Sequence, residues 1–399
     1  MVQSRHYLRL EWGLFISPFF LVPMKSSSFF IAPLLVSAAT LVQAQDVQTV
    51  KIGLAAPLTG PQAFYGKDSQ NGARLAIDEL NEKKIIVGGK QLRFELLSED
   101  DAADPKQGAA VAQRFCDLHV NAVIGHTNSG TAIPAARIYH QCGLPNLSPS
   151  ATSPELTKSA YNTTFRMLAN DSTLAQALAA YTVNVLKLKT IAVVDDRSAY
   201  GQGLADAFRT ALRNTPVTVV TQQYTNDKAV DFSAILTAIK GRNPDAVFFG
   251  GMDPQGSAML RQMEQLGLTR QKFIGGDGIC TQGMEQRTEG MKIQDNLVCA
   301  HSGIALDRTA ASRAWKKRYD DKFPGQFQMH GPYSYDAVLA VAKAMQSANS
   351  IEPQKYLPAM AKVHFAGVMS NVQFDQRGEI KNPTISIYTY QDGKRRLAN

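Results

Sequence analysis

The sequence is poor in the signatures that announce bond-making chemistry. The first strand runs into Pro57-Leu-Thr-Gly-Pro61, with neither the GxGxxG nor the GxxxxGK[ST] pattern that would cradle a dinucleotide or nucleotide phosphate. No GxSxG elbow and no HExxH helix occurs, and the seven histidines are dispersed, so hydrolase and zinc-peptidase readings have no anchor. Four cysteines are present without a CxxC or Cys/His spacing, which argues against a zinc site. Neither a metal nor a cofactor is expected. Basic residues exceed acidic ones, 42 against 34, for a formal charge of +8 over 399 residues. They form no stripe and interleave with no aromatic platform, so a nucleic-acid partner is not expected. Gly and Pro, 29 and 18, are too few for a collagen-like or linker-dominated chain.

What is present begins with an address. Met24-Lys25-Ser-Ser-Ser leads into an apolar run from Phe29 to Val42, followed by Val42-Gln43-Ala44. A short positive region, a hydrophobic stretch and small residues before a cut after about Ala44 form a secretory signal pattern. Upstream, a second apolar stretch from Trp12 to Val22 is read as sequence ahead of the true start at Met24; a transmembrane anchor is the rival reading. Neither run reaches about 18 uninterrupted apolar residues, which favours export and cleavage. In an oxidising compartment the cysteines are disulfide candidates. Cys116 and Cys142 each end a predicted helix that feeds a neighbouring strand, so Cys116–Cys142 and Cys280–Cys299 is the expected pairing, with four buried thiols as the alternative.

After the leader, strand and helix patterns alternate. Apolar strands are predicted near Val50, Leu92, Ala122 and Leu144, with helices over 67–82, from Pro105 to about Cys116, and over 129–140. The same grammar restarts at a helix over 171–187 and continues through strands near Ile191, Val217, Ala246 and Lys272. Helices are predicted over 308–322, 332–348 and 353–361. At the end, Val372–Asp375 and Ile385–Gln391 flank a Gly-containing turn and are read as an antiparallel pair. Such alternation implies an α/β fold of two doubly wound parallel-sheet lobes. With no Pro- or Ser-rich linker between them, the lobes are expected to be joined by tight crossings. Ligands of such sheets sit beyond the carboxyl ends of the strands.

Two loops there are rich in hydroxyls. His126-Thr-Asn-Ser129-Gly-Thr131 opens a helix, and Ser148-Pro-Ser-Ala-Thr-Ser-Pro154 follows the next strand. Each suits a carboxylate and each equally suits ordinary capping; two in succession favour one shared anion site. Ser129 as a nucleophile activated by His126 has no identifiable orienting acid. Asp277, set among Gly275, Gly276 and Gly278, suits an ammonium group. His126, His301 and His330 are read as structural or surface groups, and Asp195, Asp196, Asp100 and Asp101 as solvated loop residues or caps.

Several segments then share one order: Gly60-Pro-Gln-Ala-Phe-Tyr-Gly66, Asn71-Gly-Ala-Arg-Leu-Ala-Ile77, Asp100-Asp-Ala-Ala-Asp-Pro-Lys-Gln107, Val123-Ile-Gly-His126, the Ser148–Leu156 loop, Tyr200-Gly-Gln-Gly-Leu204 and Asp231-Phe-Ser233. Together these resemble the periplasmic leucine/isoleucine/valine-binding proteins of ATP-driven (ABC) importers, with the type I periplasmic binding protein fold. The resemblance spans about Val50 to Gln391. It implies an N-terminal lobe from 45–169 plus about 302–378, and a C-terminal lobe from about 170–301 plus 379–399, joined by a multi-crossing hinge. It also implies a periplasmic monomer that is no enzyme and captures an amino acid, branched-chain first, for a membrane permease. A sensor, or a carrier of another small carboxylate, amide or aromatic acid, is the alternative.

Residue by residue, the resemblance matches Ser129, the backbone of Ser150 and Ala151, and Thr152 to the carboxylate-binding loops. Tyr200 matches a tyrosine reaching the ligand from the second lobe, and Asp277 the ammonium-binding glutamate. Tyr65 matches an aromatic lid, while Met252 and Tyr333 or Tyr335 fall near the side-chain pocket. Three departures stand out. Asp277 is one methylene shorter than glutamate, Met252 stands where an aromatic is common, and Asn128 replaces a cysteine beside the binding serine, removing that disulfide.

Overall fold

A computed structural model describes residues 46–398. The leader expected over 1–44, with its cut after Ala44, lies outside the described residues. The first lobe opens with β1 (Val47–Ala56), α1 (Ala63–Glu82), β2 (Ile86–Val87), β3 (Lys90–Asp100), α2 (Pro105–Asp117), β4 (Ala122–Gly125), α3 (Ser129–Cys142), β5 (Asn146–Ser148), α4 (Glu155–Lys158) and β6 (Thr164–Arg166). Its six strands lie in the order β2-β3-β1-β4-β5-β6, all parallel except β2 against β3. The second lobe follows with α5 (Asp171–Asn184), β7 (Thr190–Asp195), α6 (Ala199–Leu212), β8 (Thr218–Tyr224), α7 (Ser233–Lys240), β9 (Ala246–Gly250), α8 (Asp253–Gln265), β10 (Lys272–Gly275), α9 (Gln282–Arg287) and β11 (Leu297–Ser302).

The chain then returns to the first lobe as α10 (Ala310–Lys322), α11 (Gly331–Ala348), α12 (Pro353–Met360) and the small antiparallel pair β12 (His364–Ala366) and β13 (Asn371–Gln373). It finishes in the second sheet as β14 (Ile385–Gln391) and β15 (Lys394–Leu397). That sheet has the order β15-β14-β11-β10-β9-β7-β8, with β14 antiparallel to β11 and β15 antiparallel to β14. The expected pairing of Val372–Asp375 with Ile385–Gln391 is therefore corrected. The first segment pairs with β12 and the second with β11 and β15, because the chain crosses between lobes where a hairpin turn was read. Strands β2, β6, β11, β12 and β15 were not anticipated from the sequence.

Local signals account for the elements. Every residue of β4 and β9 is buried, as a parallel sheet covered on both faces requires. Helix α2 starts at Asp104, whose carboxylate accepts from the amides of Lys106 and Gln107 at 2.8 and 3.0 Å, with Pro105 in the first turn. Ser198 caps α6 by accepting from the Gly201 amide at 2.9 Å. Helices α1 and α11 pack so closely at Gly72 that a Cβ there would sit 2.0 Å from the Gly331 carbonyl oxygen. Asp68 ties the same junction, accepting from the Tyr319 hydroxyl at 2.6 Å and from the amides of His330 and Gly331 at 2.7 and 2.8 Å. These three donors are what permit a fully buried carboxylate, and they fix where α11 begins. Both disulfides, Cys116–Cys142 and Cys280–Cys299, are present.

The three crossings between lobes bond to one another. The Ala169 amide donates to Ser302 Oγ at 2.9 Å, Gly303 to the Thr384 carbonyl at 2.7 Å, and Arg166 to the Gly378 carbonyl at 2.8 Å. Beside them the fully buried Arg166 guanidinium makes a two-pronged pair with Glu379, Nε to Oε2 at 3.0 Å and Nη2 to Oε1 at 2.9 Å. Glu379→Ala would strand that cation, at a cost of about 3 kcal/mol. A urea-unfolding midpoint lowered accordingly is the expected result; a loss below about 0.5 kcal/mol, the range of ordinary surface substitutions, would show that the pair carries no structural weight.

Candidate functional site

Each sheet has one place where consecutive crossovers leave in opposite directions: between β1 and β4 in the first, and between β7 and β9 in the second. Loops beyond such strand ends diverge and leave a crevice. Here both crevices open on one cavity of about 330 Å³. Gln62, Ser129 and Ser150 reach it from the ends of β1, β4 and β5; Tyr200, Met252 and Asp277 come from the segments after β7, β9 and β10. Small-molecule sites run from about 300 to 1,000 Å³, so this one is sized for a compact ligand.

The first-lobe wall is a set of hydroxyls and backbone donors. Ser129 is the first residue of α3, and the helix N-terminus concentrates unpaired N–H groups there. Its Oγ accepts from the Ser153 amide at 3.2 Å, joining the two hydroxyl-rich loops. Ser148 braces the second loop, donating to the His126 carbonyl at 2.9 Å and accepting from the Ala151 amide at 3.0 Å. From beneath, Arg166 Nη1 donates to the Ala151 carbonyl at 2.6 Å, so the buried ion pair also positions this loop.

The second-lobe wall is organised around Asp277. The Tyr200 hydroxyl donates to Asp277 Oδ1 at 2.7 Å, and the Gly278 amide reaches both the Tyr200 oxygen at 2.8 Å and Asp277 Oδ1 at 3.1 Å. Glycine is needed at 278, where a Cβ would lie 2.6 Å from the Gly251 carbonyl oxygen. Burial pushes Asp277 up to about 6, against the stabilising hydrogen bonds of Tyr200 and Gly278. A second buried carboxylate, Asp171, is held well above the usual range by burial and then by the negative charge of Asp277, with the Thr152 hydroxyl acting the other way. Burial and the charges of Asp277 and Asp171 raise Tyr200, which keeps its proton and remains a donor. Among the described residues, no ion pair includes Asp277.

Of the residues singled out from the sequence, Ser129, Ser150, Tyr200, Met252 and Asp277 line the cavity. Ala151 and Thr152 are buried just behind it. Tyr65 is also buried behind the wall, and its hydroxyl approaches the Gly278 carbonyl at 3.4 Å, bridging the lobes. Next to it, Phe64 lies under the Arg287 guanidinium of the second lobe at 4.7 Å. Tyr333 and Tyr335 are not among the residues that line the cavity. One turn into α11, Tyr333 turns its hydroxyl to the Ser302 carbonyl at 2.5 Å, and Tyr335 bonds Glu79 at 2.7 Å.

The residue of that segment that reaches the wall is His330, read from sequence as structural or surface; Asp68 holds the backbone that presents it. His126 is buried between Asp101 at 2.7 Å and the Tyr139 hydroxyl at 3.0 Å. His301 is likewise buried, bonded to the Ser302 carbonyl. Asp196 also lines the cavity, contrary to its reading as a solvated loop acid. Arg166, Asp171 and Glu379 carried no sequence signal, since their partners come from segments distant in the chain. Among the described residues no three His, Cys, Asp or Glu side chains gather as a metal site, and no helix is long and apolar enough to cross a membrane.

Comparison with known proteins places this architecture. The model of the family described as periplasmic binding protein matches residues 49–394. The Leu/Ile/Val-binding protein homolog 1 of Brucella abortus is 34% identical over 345 residues, covering 86% of this chain and 91% of the relative. The leucine-, isoleucine-, valine-, threonine-, and alanine-binding protein of Pseudomonas aeruginosa is 31% identical over 364 residues, 91% of this chain and 95% of its own. Among solved structures, the isoleucine complex of a branched-chain amino acid transporter substrate binding protein from Streptococcus pneumoniae superposes with a TM-score of 0.78 at 26% identity, over 88% of this chain and 99% of that one. With its two lobes, its interlobe cavity and a match over nearly all of the described residues, the chain belongs to the periplasmic binding protein family.

Proposed function

We propose that the chain is an exported solute-binding protein that captures an amino acid in the interlobe cavity and delivers it to the permease of an ABC importer. The observation that carries this reading is the pairing of opposites across one cavity. The Ser129 helix terminus and the Ser150 loop suit a carboxylate, and the Asp277 carboxylate with Tyr200 suits an ammonium group. An α-amino acid carries both groups on one carbon. Ala151 and Thr152 back the anion loop from behind the wall, and Tyr65, also behind it, bridges to Gly278 of the second lobe. Binding across two lobes gives the ligand contacts that exist only when the lobes approach, the condition for shifting a population toward closure. A closed form differs in surface from an open one, and that difference is what a permease can sense. No bond is made or broken. The names of the relatives put branched-chain amino acids first in the panel to be tested. Export with removal of residues 1–44 belongs to the same reading.

Titration calorimetry of the purified protein, unfolded and refolded to strip ligand, tests it. Micromolar or tighter binding of at least one α-amino acid is expected, lost in its amide and in the acid lacking the amino group. Asp277→Asn should weaken binding by at least about thirtyfold, because it leaves a desolvated ammonium without its counter-charge. Equal binding of valine and isovalerate, or of leucine and 4-methylpentanoate, would overturn the role of Asp277.

The raised Asp277 also sets a pH dependence. Above about pH 6 the carboxylate is ionised and affinity is level; below it, protonation removes the negative charge that the ammonium needs. Kd should therefore rise as pH falls through 6, by up to about tenfold per pH unit, and Asp277→Asn should flatten the profile. A wild-type profile that is level from pH 7 to 5 would contradict the assignment.

A further inference from the structure

The wall that remains once a zwitterion has been placed sets several polar side chains among small or flexible apolar ones. Among the described residues no Leu, Ile, Val, Phe or Trp side chain lines the cavity; besides the Tyr200 ring, its apolar side chains are Ala103, Pro105, Ala199 and Met252. From the first lobe come Gln62, Thr127, Asn128 and His330. The Asn128 amide donates to Gln62 Oε1 at 2.6 Å, which orients both side chains. Three polar atoms of the set, Thr127 Oγ1, Asn128 Oδ1 and His330 Nδ1, are buried and have no hydrogen-bond partner in the protein, and Asp196 Oδ2 on the second lobe is in the same position. Native interiors rarely leave such atoms unpaired, because the desolvation cost is not recovered. Burial pushes His330 down to about 4, so its ring is neutral at neutral pH and offers one donor and one acceptor.

An aliphatic side chain would cover this wall without pairing any of these groups. A hydroxyl or carboxamide can both donate and accept among them. An acidic side chain would meet the carboxylates of Asp196 and Asp227 on the same cavity; the neutral His330 supplies no counter-charge, and the lining guanidinium of Arg197 already sits beside Asp195 at 3.7 Å. We propose that Thr127, Asn128 and His330 form a side-chain subsite that selects amino acids bearing a neutral hydrogen-bonding group, a hydroxyl or a carboxamide, over aliphatic side chains of the same shape. This rests on the amino-acid reading above and narrows it.

Isosteric pairs isolate the effect: threonine against valine, and asparagine against leucine, titrated calorimetrically into the purified protein. The polar member of at least one pair should bind about tenfold or more tightly, since a site built to hydrogen-bond a ligand discriminates against the analogue that leaves it unpaired. Thr127→Val, nearly isosteric itself, and His330→Phe should each move that ratio toward one while the requirement for both ammonium and carboxylate persists. The ratio is read within one variant, so a partial loss of folded protein does not alter it. Valine and leucine binding as tightly as threonine and asparagine, or lysine, arginine or glutamate binding tightest, would overturn the subsite and leave the amino-acid reading intact. Failure of every α-amino acid to bind would overturn both.

Discussion

A carboxylate shut in among neutral donors is the constraint on which the second lobe's site depends. Asp277 gains hydrogen bonds from Tyr200 and the Gly278 amide, and neither supplies positive charge. Its neighbour Asp171 is a further buried acid, and the guanidinium of Arg166 is already committed to Glu379 and the Ala151 carbonyl. Desolvation therefore dominates, and the carboxyl titrates near 6. A cation brought into the cavity removes that penalty and gains a partner in the same step. In the proposed amino-acid reading, the groups that suit the other end of the ligand lie on the opposite lobe, so this electrostatic relief would be coupled to closure.

The fold is arranged to permit such coupling. Both crevices come from the same topological feature, the reversal of crossover direction beside β1 and beside β7, which sets helix N-termini and loop ends facing each other across the lobes. Three crossings, knitted by Ser302 to Ala169 and by Gly303 to Thr384, keep the lobes adjacent and concentrate any bending in a few residues. Arg166 links hinge and site: one face of its guanidinium pairs with Glu379 after the second crossing, and the other holds the Ala151 loop.

Much of the fold was legible in the sequence because buried parallel strands and amphipathic helices leave strong periodicities, and caps such as Asp104 mark their edges. The helix read over 353–361 is observed at Pro353–Met360, for example. Strand β11 escaped notice although Leu297-Val-Cys-Ala is apolar and follows the turn residues Asp295-Asn296. The terminal strands were mispaired because alternation in Ile385–Gln391 reveals a strand and says nothing about its neighbour, which is β11, over eighty residues upstream. The site divides similarly. Ser129, the Ser150 loop and Asp277 follow strand ends and were legible from position and composition, whereas Tyr200 was named only through the family resemblance. His330 was legible from neither, because its place on the wall is set by Asp68 and by the close packing of α1 on α11 at Gly72, contacts that join residues some 260 positions apart.

The most direct test is to titrate the Asp277 carboxyl by carbon-13 NMR in the free and amino-acid-bound protein, with Asp277→Asn assigning the resonance. The account predicts a midpoint near 6 in the free protein that falls clearly on binding, as the ligand's ammonium favours the ionised form. A midpoint that stays in place or rises when an amino acid binds would show that Asp277 is not the counter-charge, and the clamp built around it would be wrong.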